Sequence, residues 1–255
     1  MLISTRSKSF SRHGNPGLAL QGADLPRLSF LGLFRYCFVM NKSDLTTAES
    51  IRARRSIKSF KNDPIPEGVL QELLSLMQDA PSSWNFQPTR IVMIRSMAQK
   101  EALSAAAWGQ KQILEAPVTF VFSVSIRGWE KHMDEILKTG VSSGAWPQKF
   151  ADWIRDNAPG FQKGLAERER EYAIKDAMIM ATTLALAAQS KGYSTCYING
   201  WDESKVKEII GAEGDKNIAI ALVLPVGLPN SGAKHPGRLP AAKTIFTDRL
   251  PSPAI

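Results

Sequence analysis

Residues 173–192 read AIKDAMIMATTLALAAQSKG and predict a long helix at the centre of the fold. The apolar side chains surround almost the whole helical circumference, which is typical of a helix buried inside a domain or at an interface. We expect this helix to span residues 168–190 and to end at Gly192, because glycine readily adopts the left-handed conformation that often closes a helix. Other elements must therefore pack around it.

Helices and strands follow one another on both sides of this central helix. Segments with apolar side chains at helical spacing alternate with short runs rich in β-branched and aromatic residues, so one sheet wrapped by helices is predicted. The charged segment 127–171 predicts two or three amphipathic helices, with breaks at 140–147 and 157–160. The other predicted helices are 44–53, 67–79, 97–115 and 202–210, and the predicted strands are 90–95, 118–124, 193–198 and 217–226.

The composition is that of an ordinary globular protein of 255 residues, with 44% hydrophobic and 22% charged residues. These values exclude collagen-like structure and disorder of the whole chain. No apolar run approaches the roughly 18 residues that predict a membrane-spanning helix, so no membrane partner is expected. Two cysteines favour a reducing, cytoplasmic location over a disulfide-rich secreted one. Three widely separated histidines give no metal-ligand spacing, and no metal site is expected.

The net charge of +8 is concentrated near the N-terminus. Residues 1–39 carry five basic side chains and one acidic one, and therefore half of the excess. This segment is rich in Ser, Gly and Arg, and we interpret it as a disordered or non-native extension of a domain that spans residues 40–255. Three explanations are open: a transit peptide that directs the chain to an organelle, a gene start placed upstream of Met40, or a disordered arm.

Three cations and one hydroxyl lie within five residues at the end of the first predicted helix. Such a group can receive a dianionic phosphate, because guanidinium and ammonium groups form charge-assisted hydrogen bonds with phosphate oxygens. A solvated basic surface is the alternative, and on this segment alone it is the favoured explanation. A positive net charge also suits nucleic acid or anionic lipid. We call this group the basic cluster, and its members are Arg54, Arg55, Ser56 and Lys58.

The segment APSSWNFQP at residues 80–88 offers neutral hydrogen-bonding groups on a frame of two prolines. Hydroxyls and amides of this kind suit the recognition of a polyol or of a heteroaromatic edge, whereas proton transfer needs a titratable group. A capped connection between a helix and a strand explains the spacing equally well. We call this segment the amide loop, and its candidate binding residues are Pro81, Ser82, Ser83, Asn85 and Gln87.

Two further segments could complete a ligand site. Gly200 follows a predicted strand and would let a backbone N–H group approach a ligand closely, and Arg238 lies in a basic loop at 234–238. A plain strand exit and an ordinary surface loop are the alternatives. The sequence has no pair of acids, metal-ligand set or nucleophile with an adjacent base, so an enzymatic reaction would depend on a bound cofactor.

Several of these motifs, in this order, resemble the FMN-dependent nitroreductase superfamily. The resemblance covers about residues 43–250, and the motifs are stronger together than alone. The matching motifs are RRSIKSF (54–60), PIP (64–66), APSSWNFQP (80–88), ALAA (185–188), KGY (191–193), WDESKV (201–206) and PVG (225–227).

The resemblance implies an α+β fold with a central, mostly antiparallel sheet wrapped by helices, assembled as an intertwined homodimer that binds two FMN molecules at its interface. It implies that the basic cluster holds the FMN phosphate and ribityl chain, and that the amide loop, which in this family can come from the other subunit, lines the flavin. Backbone N–H groups at 198–200 would approach the flavin N5 edge. The implied FMN-binding residues are Arg54, Arg55, Ser56, Lys58, Pro81, Ser82, Ser83, Asn85, Gln87, Ile198, Asn199, Gly200, Gly227 and Arg238.

The resemblance also implies a reaction. Hydride would pass from NAD(P)H through the flavin to an acceptor such as a nitroaromatic or a quinone, in a ping-pong sequence that needs no catalytic side chain. Segment 127–171 corresponds to a variable cover over the flavin, in which Trp129, Trp146 and Trp153 either stack on a planar ligand or pack the cover onto the core. A flavin-binding protein without turnover and a nucleic-acid-binding protein are the alternatives.

Overall fold

A computed structural model describes residues 44–251. The prediction that residues 1–39 form a transit peptide, an extended gene start or a disordered arm lies outside the described residues. Within them, helices pack on both faces of one sheet, and the predicted α+β class is confirmed.

Four strands form the sheet: β1 (Thr89–Ile94), β2 (Val118–Ser125), β3 (Ser194–Thr195) and β4 (Ile218–Gly227). Their order is β1-β2-β4-β3, and each neighbouring pair is antiparallel. β2 and β4 occupy the centre of the sheet. Nearly all of their side chains are buried, because helices cover both faces of these strands. Along β2, Phe120 and Phe122 pack on one face of the sheet, and Val121 packs on the other.

Eight α-helices accompany this sheet within residues 44–251: α1 (Thr47–Ala53), α2 (Glu67–Gln78), α3 (Met97–Ala106), α4 (Lys111–Glu115), α5 (Trp129–Ser142), α6 (Gln148–Leu165), α7 (Glu169–Ser190) and α8 (Glu203–Ile209). The predicted central helix is α7, which packs against α1, α2 and the sheet. Its buried side chains include Ala177, Ala181 and Ala185, whose small size permits close approach of these neighbours. α3, α4 and α8 cover the opposite face.

The predicted helix 97–115 is interrupted and forms α3 and α4. Trp108 and Gly109 adopt positive φ angles of 57° and 78° between the two helices. The N–H group of Gly109 donates to the carbonyl of Ser104 (2.8 Å), which closes the C-terminal end of α3. The interruption turns the chain and leaves the Trp108 side chain 72% exposed.

In the segment 127–171, one predicted break is confirmed and the other is wrong. α5 ends at Ser142 and α6 begins at Gln148, as expected from the Gly and Pro residues at 140–147. The break predicted at 157–160 is absent, because α6 continues through Pro159. Proline weakens a helix by removing one N–H donor, but here the neighbouring Ala158 is buried against α5 and the packing keeps the helix intact. We call α5 and α6 the aromatic cover.

β3 is much shorter than the strand predicted at 193–198. Beyond Thr195, the contact with β4 is reduced to a hydrogen bond from the Cys196 N–H group to the Pro225 carbonyl (3.3 Å) and an isolated bridge between Ile198 and Val223. The free edge of β3 is paired by the basic cluster instead: Ser56 bridges Thr195 in parallel, and the N–H group of Ile57 donates to the Thr195 carbonyl (3.1 Å). The basic cluster is therefore attached to the edge of the sheet.

Candidate functional site

Arg54 caps the C-terminal end of α1 and carries a buried donor without a partner. Its Nη1 atom forms no hydrogen bond with the rest of the described chain. Its Cζ atom lies over the ring of Tyr197, 5.5 Å from the centroid, where a cation and an aromatic face attract each other. Buried donors in proteins are nearly always hydrogen-bonded, so a ligand acceptor at this position would complete the arrangement.

The other members of the basic cluster have different environments. Arg55 Nη1 donates to the carbonyl oxygens of Arg52 (2.5 Å) and Arg54 (2.8 Å), which folds its guanidinium back over the end of α1. Lys58 Nζ donates to the Sγ atom of the fully buried Cys196 (3.3 Å). Ser56 is exposed beside them. The cluster therefore presents its cations along one short edge segment.

The basic loop 234–238 lies within electrostatic range of the basic cluster. Partial desolvation lowers the pKa of His235, and the positive charges of Arg238, Arg55 and Arg54 lower it further. The N–H group of Gly237 donates to His235 Nδ1 (2.9 Å), an interaction that requires this nitrogen to be unprotonated. The positive charges of Arg54, Arg55 and Arg238 therefore all act on the same imidazole, although these arginines come from two distant parts of the chain.

The amide loop has an unusual backbone. Trp84, Asn85 and Gln87 adopt positive φ angles of 56°, 56° and 48°, a region that side-chain-bearing residues enter at an energetic cost. Such strain persists where the surroundings impose it, and it is concentrated at functional sites. Asn85 and Gln87 are exposed, and the Gln87 side-chain amide donates to the Asn85 carbonyl (3.2 Å). Pro81 at the start of the loop is exposed as well.

Asp176 on α7 holds the base of the amide loop. Its Oδ1 atom accepts hydrogen bonds from the Ser83 backbone N–H (3.1 Å) and from the Ser83 hydroxyl (3.0 Å). The Ser82 hydroxyl accepts a further bond from the N–H group of Gln87 (3.0 Å). Asp176 is only 4% exposed, and this burial raises the pKa of its carboxyl group although the Ser83 hydrogen bonds oppose the rise.

The segment 198–200 lies on the opposite side of the sheet from the amide loop's anchor on α7. Ile198 is buried among side chains of α3, α4 and α8, and Asn199 beside it is exposed. A Cβ atom on Gly200 would lie 2.5 Å from a ring carbon of Trp108. Glycine at this position leaves room for the exposed indole of Trp108, a reason that the sequence did not reveal.

Gly227 has a packing role in this structure. It ends β4, where it pairs with Ser194, and a Cβ atom added to it would lie 2.6 Å from Cδ of Pro117 and 3.3 Å from the ring of Phe60. The residue is buried. Its backbone therefore lies close to Phe60, which follows the basic cluster in the chain, and a side chain at this position would overlap Pro117.

The amide loop and the basic cluster, the two half-sites of the predicted site, are anchored at different positions of α7. No hydrogen bond or ion pair connects them within residues 44–251. Asp176 anchors the amide loop, whereas Tyr197, beneath Arg54, bonds through its hydroxyl to Thr182 Oγ1 (3.4 Å). Six residues separate the two anchors on α7, which places them about 120° apart around the helix axis. The two half-sites therefore lie on different faces of α7.

The aromatic cover packs directly onto the amide loop. Trp84 stacks on Trp153, with ring centroids 5.6 Å apart and an angle of 14° between the planes, and Phe150 stacks on the same Trp153 at 6.0 Å. Trp129 stacks on Phe86 at 5.8 Å. Trp153 remains half exposed. An open cavity of about 580 Å³ lies here, and its lining includes Trp84, Asn85, Trp146, Phe150 and Trp153.

Two residues that contact candidate site residues escaped the sequence-based prediction. Asp176 is the one acid in the apolar stretch 176–190, and a charge in a buried helix signals a specific partner. Trp108 gave no comparable signal, because its contact with Gly200 depends on the turn between α3 and α4.

Within residues 44–251, every helix is too short or too polar to span a membrane. No group of three or more His, Cys, Asp or Glu side chains in the same range could hold a metal ion.

Comparison with known sequences identifies the family. The model of the Nitroreductase family matches residues 51–228. A protein named NADH dehydrogenase from Thermus thermophilus is 33% identical over 194 residues, which cover 76% of this chain and 91% of the relative. A candidate NAD(P)H nitroreductase from Bacillus subtilis is 29% identical over 77% of this chain and 96% of its own length.

Solved structures agree with this identification. A candidate NAD(P)H:FMN oxidoreductase from Staphylococcus epidermidis superposes with a TM-score of 0.72 at 25% identity, over 78% of this chain and 94% of its own. A candidate nitroreductase from Exiguobacterium sibiricum, solved in complex with FMN, has the same fold, with a TM-score of 0.72 at 24% identity over 79% of this chain and 97% of its own. The nitroreductase resemblance drawn from the motifs is thus confirmed, and the chain belongs to the nitroreductase family.

Proposed function

We propose that this chain is an FMN-dependent oxidoreductase that transfers hydride from NAD(P)H through the bound flavin to a small acceptor such as a nitroaromatic or a quinone. The observation that carries the proposal is the unpartnered, buried Nη1 of Arg54 inside a cluster of arginines. The names of the relatives, NADH dehydrogenase, NAD(P)H nitroreductase and NAD(P)H:FMN oxidoreductase, support the same chemistry.

The basic cluster fits the phosphate of FMN in charge and in donor chemistry. A phosphate monoester carries up to two negative charges and accepts several hydrogen bonds, which suits the guanidinium groups of Arg54 and Arg55. Arg238 adds a third positive charge from the C-terminal part of the chain. These cations would hold the phosphate, and the ring of Tyr197 would keep Arg54 in place.

The amide loop fits the uncharged parts of the cofactor. Its strained backbone presents the exposed amides of Asn85 and Gln87, which can donate to and accept from ribityl hydroxyls or a heteroaromatic edge. Neutral groups of this kind orient a ring without exchanging protons with it. The flavin would supply the hydride chemistry when bound, so the protein's contribution would be binding, orientation and exclusion of water.

We further propose that the working unit is a homodimer in which each FMN site combines the basic cluster of one subunit with the amide loop of the other. The position of the two half-sites on different faces of α7 supports this arrangement. An apolar furrow of about 690 Å³ also lies beside α7, lined in part by Leu45, Leu76, Met178 and Leu186, and a second copy of the chain would cover it.

The acceptor would enter over the exposed rings of the aromatic cover. Trp153 and Phe150 are half exposed and nearly parallel, with 10° between their planes, so they can stack on a flat aromatic compound. Part of their area is already used to pack the cover onto the amide loop. A planar acceptor would therefore contact the outer face of this stack.

The test is an assay of the purified, FMN-reconstituted protein with NADH and NADPH against a panel of nitroaromatic and quinone acceptors. We expect tight flavin binding and acceptor-dependent oxidation of the nicotinamide. Flavin binding without turnover would instead indicate a flavin-binding or regulatory protein. No flavin binding, together with salt-dependent binding to nucleic acid, would favour the basic nucleic-acid-binding alternative and overturn the proposal.

A further inference from the structure

Asp176 is a carboxylate in an apolar setting with no cation beside it. It is 4% exposed on the central helix α7, and no ion pair involves it among residues 44–251. Its hydrogen-bond partners in that range are the amide and the hydroxyl of one residue, Ser83, both at Oδ1. Burying a carboxylate without a counter-charge is costly, so the two hydrogen bonds from Ser83 are its main compensation within this range. These two bonds join the central helix to the amide loop, which points to a role in holding that loop.

Ser83 is the residue from which the strained part of the amide loop begins. Trp84 and Asn85 follow it directly, both in the left-handed region at φ 56°. The strain is greatest at Trp84, because a bulky side chain disfavours the left-handed region more than the short amide of Asn85 does. The hydrogen bonds to Asp176 fix both the backbone and the side chain of Ser83, which restricts the backbone conformations open to the next two residues. At the end of the loop, the N–H group of Gln87 donates to the Ser82 hydroxyl.

The same anchor also sets the position of the aromatic cover. Trp84 stacks on Trp153 of α6 and lies 6.1 Å from the nearly parallel ring of Phe86. A shift of Ser83 would therefore move the exposed amide of Asn85 and the first ring of the aromatic stack together.

We propose that Asp176 is a positioning residue for the ligand site: through Ser83 it holds the amide loop in the conformation that binds the flavin and supports the aromatic cover. This inference rests on the proposed flavin-dependent function, but the position of the loop can be measured without any flavin. Asp176 does not touch the ligand in this account and acts only through Ser83.

The test compares three variants with the wild-type protein: Asp176→Asn, Asp176→Ala and Ser83→Ala. Asparagine keeps an oxygen that can accept both Ser83 hydrogen bonds, so Asp176→Asn should bind FMN within about threefold of wild type. Asp176→Ala removes both bonds and should weaken FMN binding by at least about tenfold. Ser83→Ala removes only the hydroxyl bond and should fall between them. Asp156→Asn, an exposed aspartate on α6, is the matched control for loss of one negative charge.

A second readout uses the flavin-free protein. The stacked Trp84 and Trp153 should give a near-ultraviolet circular dichroism signal that Asp176→Ala reduces and Asp176→Asn preserves. If Asp176→Ala does not fold, the Ser83→Ala and Asp176→Asn proteins still decide the question by the same two readouts.

The proposal is overturned if Asp176→Ala keeps wild-type dichroism and FMN affinity, or if Asp176→Asn is as impaired as Asp176→Ala while Ser83→Ala is neutral. A protein that binds no flavin at all would refute the proposed function, and the dichroism of the three variants would still test the anchor separately.

Discussion

The guanidinium group of Arg54 rests on the ring of Tyr197, and its buried Nη1 has no partner in the described chain. The hydroxyl group of Tyr197 in turn bonds to Thr182 Oγ1 on α7 (3.4 Å). The central helix thus supports the ring, and the ring supports the cation. A positive charge held in this way loses little freedom when it meets an anion, which favours binding.

The first prediction concerns that cation. Arg54→Ala should weaken FMN binding by about 10- to 100-fold, because hydrogen bonds to charged groups are worth about 1.5–3 kcal/mol. Fluorescence titration of FMN with the purified protein measures the dissociation constant. Arg95→Ala is the matched control, since its exposed ion pair with Glu67 lies outside the site. An Arg54→Ala protein with unchanged FMN affinity would show that Arg54 does not bind the phosphate.

The second prediction concerns the origin of the two half-sites. One variant chain carries Arg54→Ala, and the other carries Asn85→Gly with Gln87→Gly, because glycine keeps the positive φ angles while removing the amides. When the two variants associate at random, about half of the dimers contain one chain of each kind. Each mixed dimer has one intact FMN site and one site in which both half-sites are altered. We therefore expect about a quarter of the wild-type number of intact FMN sites.

Titration of FMN sites in the refolded or co-expressed mixture measures this recovery. Each variant alone is the control and should show no intact site. If both half-sites came from the same chain, mixing would restore nothing.

The third prediction concerns Gly200 and Trp108. Gly200→Ala places a Cβ atom 2.5 Å from a ring carbon of Trp108, so the exposed indole must move, and we expect a loss of about 1 kcal/mol in the free energy of unfolding. Trp108→Ala in the same chain should remove most of that cost. Urea unfolding of the two single variants and the double variant gives the coupling free energy. Equal costs of Gly200→Ala with and without Trp108 would contradict the contact.

The fourth prediction concerns pH. Burial raises the pKa of Asp176 above its value in the unfolded chain, so the folded protein holds the proton more tightly. Its contribution to stability is therefore present at low pH and is lost as the pH rises through the folded-state pKa. Asp176→Asn has no such dependence, and its free energy of unfolding should increase relative to that of the wild type as the pH rises above about 4, the usual pKa of an aspartate in an unfolded chain.

Urea unfolding of the flavin-free proteins at a series of pH values measures this difference, with Asp156→Asn as the control for an exposed aspartate. A constant difference between wild type and Asp176→Asn across the range, or a change of opposite sign, would show that the carboxylate does not titrate as its burial indicates.

Local patterns were sufficient for most of the fold. The apolar circumference of α7 identified the central helix, and the apolar runs of β2 and β4 identified the buried strands. The continuation of α6 through Pro159 was not predictable from local patterns. Proline disfavours a helix interior, but the packing of α6 on α5 outweighs that preference.

The candidate site shows the same contrast between local motifs and tertiary contacts. The basic cluster and the amide loop were recognisable as motifs because their donors are close together in sequence. Asp176 lies 93 residues from Ser83, and Trp108 meets Gly200 only through a left-handed turn, so both contacts depend on tertiary structure. Sequence therefore indicated the candidate binding motifs, and the fold was needed to identify the residues that contact them.

The most direct test of the central claim is anaerobic mixing of the FMN-loaded protein with NADH or NADPH, followed by addition of a nitroaromatic or quinone acceptor. The account predicts that the nicotinamide bleaches the visible absorption of the bound flavin and that the acceptor then restores it, each step occurring without the other substrate present. A flavin that stays bound but is bleached by neither nicotinamide would contradict the account.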